Sequence, residues 1–172
     1  MKPSINKKHI AKVGEALLGT VNKLDQMRKA EGKKLEKDLR QRTSKIETLV
    51  RKIESKREDF MKDFSNKLRE RIQELLEDIQ IDEAKLNQEI VFLAERSDIT
   101  EEIIRLGAHI SKLKETFGKD GSIGRELDFL LQEMNREANT ISAKSKDAEI
   151  SHFVVELRSE MEKIREQIQN IE

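Results

Sequence analysis

Residues 124–145, with the sequence GRELDFLLQEMNREANTISAKS, decide the fold class of this 172-residue chain. Apolar side chains recur along the stretch at steps of four and three: Leu127, Leu131, Met134, Ala138 and Ile141. Residues at such steps lie on one face of an α-helix, whose period is about 3.6 residues per turn. The stretch is therefore predicted to form an amphipathic helix that buries this face.

Two polar stripes run beside the apolar face of this predicted helix. At about 100° per residue, one flank carries Asp128, Gln132, Asn135 and Asn139. The other flank carries Glu126, Glu133 and Glu137. Asn and Asp are mediocre helix formers because their side chains compete for backbone hydrogen bonds. We infer that the Asn-containing stripe contacts something, and we expect both flanks to open onto a shared polar cavity.

The helical pattern continues upstream of this stretch. From residue 12 to residue 78, apolar side chains follow a roughly seven-residue rhythm that Arg42 and Arg57 interrupt. A narrow seam of this kind is typical of a coiled-coil arm, and such a long helix needs a partner helix or subunit. Gly32 is predicted to end a first helix, and residues 79–82 are predicted to break the arm.

Further helices are predicted from apolar periodicity at residues 86–93, 99–117 and 150–171. Asp98 or Thr100 is predicted to cap the second of these. Residues 118–122 are predicted to form a loop, and residues 144–147 a turn. Because no segment alternates with the period of a strand, the predicted fold is all-α. It consists of a long coiled-coil-like helical arm followed by a C-terminal helical bundle.

Composition and charge exclude several classes of protein. The chain has no cysteine, which removes disulfides, thiolate metal sites and cysteine nucleophiles. No apolar run approaches membrane-spanning length and no cleavable signal is visible, so a cytoplasmic protein is the simplest interpretation. Residues 1–78 hold 21 Lys and Arg against 14 Asp and Glu (net +7), and residues 79–172 hold 13 against 20 (net −7). The basic half could attract a polyanion, or the two halves could complement one another within or between subunits.

The chain resembles the C-terminal portion of the YicC/YloC-like endoribonuclease family. The matching positions in the amphipathic stretch are Gly124-Arg125, Leu127–Phe129, Gln132–Glu137, Asn139-Thr140 and Lys144-Ser145. The series extends upstream through Asp98–Glu102, Arg105-Leu106 and His109, and downstream through Asp147–Glu149, Val154–Leu157 and Glu162–Glu172. Family members carry a further N-terminal region that begins with a Met-Thr-Gly/Ala-Phe type motif. That motif is not found here, so we expect a shortened chain that begins inside the family pattern.

The resemblance implies an endoribonuclease that cleaves RNA phosphodiester bonds with the help of a divalent cation, Mg²⁺ or Mn²⁺. It also implies a homo-oligomer, a hexamer, that contacts RNA and no membrane. On this basis we expect three parts: residues 1–40 as the incomplete end of the family's N-terminal region, 41–81 as the helical arm and 82–172 as the C-terminal helical domain. The alternative is a non-catalytic coiled-coil oligomerisation module or RNA-binding scaffold.

No standard enzyme motif is present, so catalysis has to use carboxylates, amides and histidines. RNA cleavage needs one group to activate the attacking oxygen, another to protonate the leaving oxygen, and positive charge near the phosphorane. The candidate catalytic residues are His109, Asp128, Glu133 and Glu137. Glu133 and Glu137 are also the candidate metal ligands, because they lie one turn apart and Mg²⁺ and Mn²⁺ favour carboxylate and water oxygens. The candidate RNA-binding residues are Arg105, Arg125, Arg136 and Lys144.

Each of these candidates also has a structural interpretation. Glu133 and Glu137 could belong to a solvated face, and His109, on the border of its apolar seam, could be a hydrogen-bonding group. The stripe that begins at Asp128 could lock helix register or subunit pairing. The arginines could form surface salt bridges with neighbouring glutamates. Because aromatic residues are scarce, we expect bound RNA to be held by its backbone and shape instead of by base stacking.

Overall fold

The computed structural model describes residues 7–75, 83–119, 121–145 and 147–169, and these residues form helices and connecting loops with no strand. Five helices are present within the described residues: α1 Lys7–Leu75, α2 Glu83–Ser97, α3 Thr100–Thr116, α4 Gly124–Lys144 and α5 Ala148–Ile168. The predicted all-α fold is confirmed. Across these ranges, no helix carries an apolar stretch long enough to cross a bilayer.

The first helix is longer than the sequence pattern predicted. α1 runs for 69 residues, from Lys7 to Leu75, so the predicted end at Gly32 is wrong. A glycine inside a helix costs only about 1 kcal/mol relative to alanine, and this cost does not stop a helix that continues favourably on both sides. The predicted break at residues 79–82 lies outside the described residues.

Carboxylates accept hydrogen bonds from backbone N–H groups at the starts of α3 and α5. The N-cap residue of α3 is Ile99, which makes no side-chain cap hydrogen bond, so the predicted cap at Asp98 or Thr100 is wrong. α3 begins at Thr100, whose backbone N–H donates to Asp98 Oδ1 at 3.0 Å. α5 is capped by Asp147, whose Oδ1 accepts a hydrogen bond from the N–H of Ile150 at 2.9 Å. Both carboxylates satisfy backbone donors that the first turn of a helix leaves without intrahelical partners. The predicted loop before α4 and the predicted turn after it are confirmed over their described residues.

The chain divides into two compact units, Met1–Asp38 and Leu39–Glu172. The described part of the first unit is the beginning of α1, and its large apolar side chains are exposed: Ile10, Val13, Leu17, Leu18, Val21, Leu24 and Met27. The second unit holds the buried core, to which α1, α3, α4 and α5 all contribute. Fully buried members of this core include Ile46, Leu106, Leu131 and Leu157.

Contacts between helices show how the four are arranged around the core of the second unit. α1 contacts α3 through Glu47 and Lys114, with Oε2 2.8 Å from Nζ. It contacts α5 through Arg42 and Glu160, with Nη1 3.2 Å from Oε2. α4 packs against α3 and against α5. α4 therefore lies across the bundle from α1, with α3 on one flank and α5 on the other.

Candidate active site between α3 and α4

The two polar stripes of α4 face different neighbouring helices. On one flank, Glu126 accepts hydrogen bonds from Lys119, just beyond the end of α3, with Nζ 2.5 and 2.7 Å from the two carboxylate oxygens. On the other flank, Asp128 pairs with Arg165 of α5, with Oδ1 3.4 Å from Nε. The prediction of two stripes is confirmed. The expected shared cavity is wrong, because α4 itself stands between the flanks.

Two contacts define the antiparallel register of α3 and α4. Arg105 Nη1 lies 3.4 Å from Glu137 Oε1, and Thr116 Oγ1 lies 3.2 Å from Glu126 Oε1. The two contacts are 11 residues apart on each helix. Each step forward along α3 therefore matches an equal step backward along α4.

This register brings His109 level with Glu133. His109 lies four residues after Arg105 on α3, and Glu133 lies four residues before Glu137 on α4. His109 and Glu133 are both half-buried, and neither side chain forms a hydrogen bond or ion pair within the described residues. An imidazole and a carboxylate without other partners thus lie beside the pair formed by Arg105 and Glu137. We call these four residues the α3/α4 site.

Arg105 is held between two carboxylates. Its Nη1 donates to Glu137, and its Nη2 donates to Glu101 one turn earlier on α3. The hydrogen bond to Glu137, followed by the charge of Glu101 and the hydrogen bond to it, raises the pKa of Arg105 above its ordinary value. The Arg105 side chain is still 55% exposed. It can therefore meet a phosphate group, in competition with these two carboxylates.

Glu137 is the most enclosed of the predicted catalytic residues, with only 5% of its surface exposed. A buried carboxylate is costly unless it is paired, and Arg105 is the cation that pairs with it. This contact holds the guanidinium of Arg105 against α4. Glu137 therefore positions Arg105 within the α3/α4 site.

Few carboxylates surround the predicted metal ligands Glu133 and Glu137. Within the described residues, no three His, Cys, Asp or Glu side chains are grouped closely enough to hold a metal ion. Mg²⁺ binds in an octahedral shell of oxygen ligands, and Glu137 already pairs with Arg105. Among these two carboxylates, Glu133 is therefore the one that remains open to a cation and its bound waters within the described residues.

Lys144 fastens the end of α4 to the beginning of α3. Its Nζ donates to Glu102 Oε1 at 2.7 Å and to the backbone oxygen of Asp98 at 3.1 Å. Glu102 is 6% exposed, and its Oε2 has no hydrogen-bond partner within the described part of the chain. Lys144 was predicted to extend an RNA contact, whereas two of its three donors are used by the carboxylate of Glu102 and the backbone oxygen of Asp98.

Asp98 lies at the centre of a polar network at the start of α3. Burial raises the pKa of its carboxyl group, but hydrogen bonds from Thr100 and the charges of Arg57 and Lys144 lower the pKa by a larger amount. The pKa therefore lies below its ordinary value. Arg57 of α1 donates a hydrogen bond to Thr100 Oγ1. The arginine that interrupts the apolar rhythm of α1 thus ties α1 to α3, a role that the sequence pattern did not reveal.

Asp128 and the amides of its stripe lie on the α5 side of α4. Asp128 accepts a hydrogen bond from Gln132 Nε2 at 2.7 Å, in addition to its ion pair with Arg165. Asn135 Nδ2 donates to the backbone oxygen of Leu131 at 3.0 Å. These contacts agree with the structural interpretation of the stripe. Asp128 is separated by α4 from the α3/α4 site, with which it was predicted to act.

The remaining predicted RNA-binding residues, Arg125 and Arg136, lie on α4 and are exposed. Neither guanidinium forms an ion pair within the described residues. Phe129 lies between them along the helix and is 60% exposed. Both arginines are therefore accessible to a phosphate group.

A groove between α4 and α5 contains a residue that the sequence analysis missed. The groove has a volume of about 390 Å³ and is lined by Asn135, Val155, Arg158, Ser159 and Glu162. Arg158 is exposed and follows Leu157, which belongs to the apolar seam of α5. Because an arginine beside such a seam is the ordinary pattern of a surface helix, no local signal distinguished it.

Comparisons with known proteins agree with the resemblance seen in the sequence. A sequence model of the family described as "Endoribonuclease YicC-like, C-terminal" matches residues 53–172. A protein of Clostridioides difficile (strain 630) named "Probable endoribonuclease YicC" is 50% identical over 161 residues, which cover 93% of this chain and 55% of that protein. A protein of Haemophilus influenzae with the same name is 40% identical over 148 residues, which cover 85% of this chain and 50% of that protein. The chain spans about half the length of the curated relatives it matches.

Proposed function

Because the chain belongs to the family of YicC-like endoribonuclease C-terminal domains, we propose that it takes part in endonucleolytic cleavage of RNA. The observation that carries the proposal is the α3/α4 site, where His109 lies level with Glu133 beside a half-exposed Arg105. An imidazole, a carboxylate and a guanidinium can supply the proton transfers and the positive charge that phosphodiester cleavage uses. The name of the family supports RNA as the substrate, and the register of α3 and α4 supports the choice of residues.

We assign His109 to proton transfer. An imidazole exchanges protons readily near neutral pH, and a half-buried position leaves it within reach of a bound substrate. Glu133 lies level with it on α4 and carries the complementary proton-accepting group. Arg105, held in place by Glu137, supplies positive charge for the phosphorane. Glu137 is a positioning residue in this assignment.

Assistance by a divalent cation is a separate part of the proposal and rests on family resemblance alone. The roles proposed for His109, Glu133 and Arg105 do not depend on a metal ion. Cleavage assays in Mg²⁺, in Mn²⁺ and in EDTA test this part directly. Full activity in EDTA would show that cleavage does not need a divalent cation. The roles proposed for His109 and Glu133 would be unaffected by that result.

The first experiment measures cleavage of a labelled, structured RNA by His109→Ala and Glu133→Gln variants. General acid–base groups typically contribute factors of about 10² to 10⁴ to a rate, so both variants should be slower by at least about 100-fold. The matched controls are His152→Ala and Glu156→Gln, because these two residues pair with each other at 3.0 Å on the exposed side of α5. Cleavage at the wild-type rate by both site variants would overturn the assignment.

A second function, a non-catalytic oligomeric scaffold that binds RNA, is favoured by one observation in the first unit. Ile10, Leu17 and Leu24 recur every seven residues and are 58%, 64% and 55% exposed. Such a stripe is the seam that a helix uses to pair with another helix. Light scattering measures the oligomeric state, including the hexamer that the resemblance implies. A stable oligomer that binds RNA but cuts none in either metal would favour the scaffold over the nuclease.

A further inference from the structure

The groove between α4 and α5 is not used by the chemistry proposed for the α3/α4 site. Arg158 and Ser159 enter it from α5, and Asn135 enters it from α4. Asp128 and Arg165 pair two turns away along the same interface. The Asn-containing stripe, for which the sequence predicted a contact, therefore borders an open groove at Asn135.

Arg158 has no carboxylate partner within the described residues. Cations that contact carboxylates include Arg42, Lys56, Lys114, Lys144, Lys163 and Arg165. Glu162 also lines the groove, but it pairs with Arg165, with 3.8 Å between Oε2 and Nη1. The groove therefore presents a guanidinium whose charge is not offset by a direct partner.

The other groups in the groove are suited to a phosphate. One hydrogen of the Asn135 side-chain amide is donated to Leu131, which leaves the second hydrogen and the carbonyl oxygen for a ligand. Ser159 adds an exposed hydroxyl group. A guanidinium, an amide N–H and a hydroxyl are the donors that most often contact phosphate oxygens and sugars in nucleic-acid complexes. Val155, which is 65% exposed, adds an apolar wall beside them.

We propose that this groove binds the phosphodiester backbone of RNA and that Arg158 makes the principal contact. The proposal rests on the proposed function only in taking RNA as the ligand, and it does not require that the α3/α4 site cuts. Arg136 and Arg125, on the adjoining exposed part of α4, continue the same unpaired positive charge along the helix. The guanidinium of Arg158, with those of Arg136 and Arg125 beside it, favours an anion as the occupant, and Val155 is the only large apolar side chain among the groove's described lining residues.

The test measures binding of a fluorescent single-stranded RNA of about 20 nucleotides, which spans more than one typical site, by fluorescence anisotropy in EDTA. Arg158→Ala should weaken binding about tenfold, as expected for one lost phosphate contact. The slope of log affinity against log salt should also fall by about 0.7. Arg51→Ala is the matched control, because Arg51 is a 73% exposed helical arginine that pairs with Glu47 on α1. It changes the net charge equally and should leave the affinity within about twofold of wild type.

A second pair of variants adds charge instead of removing it. Ser159→Asp places a carboxylate in the groove and should weaken RNA binding at least as much as Arg158→Ala. Ser44→Asp makes the same change at an exposed serine of α1 and should have little effect. Both serines are exposed, so neither change disturbs the core, and circular dichroism verifies the fold of each variant.

Unchanged RNA affinity in both Arg158→Ala and Ser159→Asp would overturn the proposal. A changed oligomeric state with unchanged RNA affinity would also overturn it, since the groove would then be covered by another copy of the chain. Cleavage assays separate this proposal from the nuclease. If RNA binding depends on Arg158 but the protein cuts no RNA, the proposed binding groove is supported and the proposed nuclease function is rejected. If Arg158→Ala cleaves RNA with an unchanged KM, the proposed nuclease function is supported and the proposed binding groove is rejected.

Discussion

The part of α1 before residue 39 (the first stretch) and the part after residue 38 (the second stretch) carry the same apolar pattern. The apolar side chains of the two stretches differ completely in burial. Leu17 and Leu24 are seven residues apart and are 64% and 55% exposed. Ile46 and Ile53 are also seven residues apart, and both are 0% exposed. The comparison teaches that a seven-residue rhythm specifies which side of a helix is apolar. It does not specify whether anything covers that side.

The difference follows from what surrounds the second stretch. Glu47 and Arg42, which flank the apolar side of α1, reach ion-pair partners on α3 and α5. α1 packs there against both helices, so its isoleucines lose their water contact. Hydrophobic stabilisation is proportional to the apolar area removed from water. The first stretch therefore contributes little to the stability of the chain, although its sequence is equally apolar.

The largest effect is expected from Ile53→Ala, compared with Leu17→Ala. Removal of a fully buried isoleucine side chain leaves a cavity, so the free energy of unfolding should fall by about 2–5 kcal/mol. Leu17→Ala should change it by less than about 0.5 kcal/mol, as is usual at exposed positions. Urea denaturation followed by circular dichroism measures both. Equal losses in the two variants would break the comparison and show that a partner covers the first stretch in solution.

A smaller effect is expected when a buried ion pair is compared with an exposed one. Glu102→Ala removes the partner of Lys144, whose side chain is 32% exposed, and should destabilise the protein by about 1–3 kcal/mol. Asp25→Ala breaks the pair with Lys29 in the first unit, where both side chains are more than half exposed, and should have no measurable effect. Denaturant midpoints give both values. If Glu102→Ala were neutral, the tie between α3 and α4 would be of no energetic importance.

The smallest effect is expected in the pH dependence of stability. The pKa of Asp98 is lowered in the folded protein from its ordinary value of 3.8, so the unfolded chain takes up its proton first. The stabilisation is complete above that value and is lost as the pH falls towards the lower folded pKa. Asp98→Asn should therefore lose less stability than wild type between about pH 5 and pH 3. Asp25→Asn is the exposed control and should follow wild type; identical curves for all three proteins would contradict the assigned network.

Much of α4 could be predicted from local signals. The step of four and three, the glycine at residue 124 and the turn before Asp147 placed the helix and its apolar face correctly. The two polar stripes were also assigned to the correct flanks. Their neighbours could not be predicted, because a helical period carries no information about which element lies beside each flank. For this reason Asp128 was grouped with His109, from which α4 separates it.

The roles of individual charged residues were the least predictable part of the candidate site. In the sequence, Lys144 and Glu137 look like ordinary surface residues. In the structure, Lys144 pairs with the buried Glu102, and Glu137 pairs with Arg105. Arg158 looked ordinary in the sequence and lines an open groove. Pairing and burial depend on residues that are distant in the sequence: Glu137 pairs with Arg105, 32 positions away, and Lys144 contacts Asp98, 46 positions away.

The sequence by itself determined that this protein is helical, where most of its helices begin and end, and which family it resembles. Those properties follow from backbone hydrogen bonds and side-chain periods that act within a few residues. Only the tertiary structure decided that the apolar seam of α1 is buried from Leu39 to Ile53 and exposed from Ile10 to Met27, and that His109 comes level with Glu133. Burial and charge pairing arise from the register between packed helices, which is set by the sum of many distant contacts.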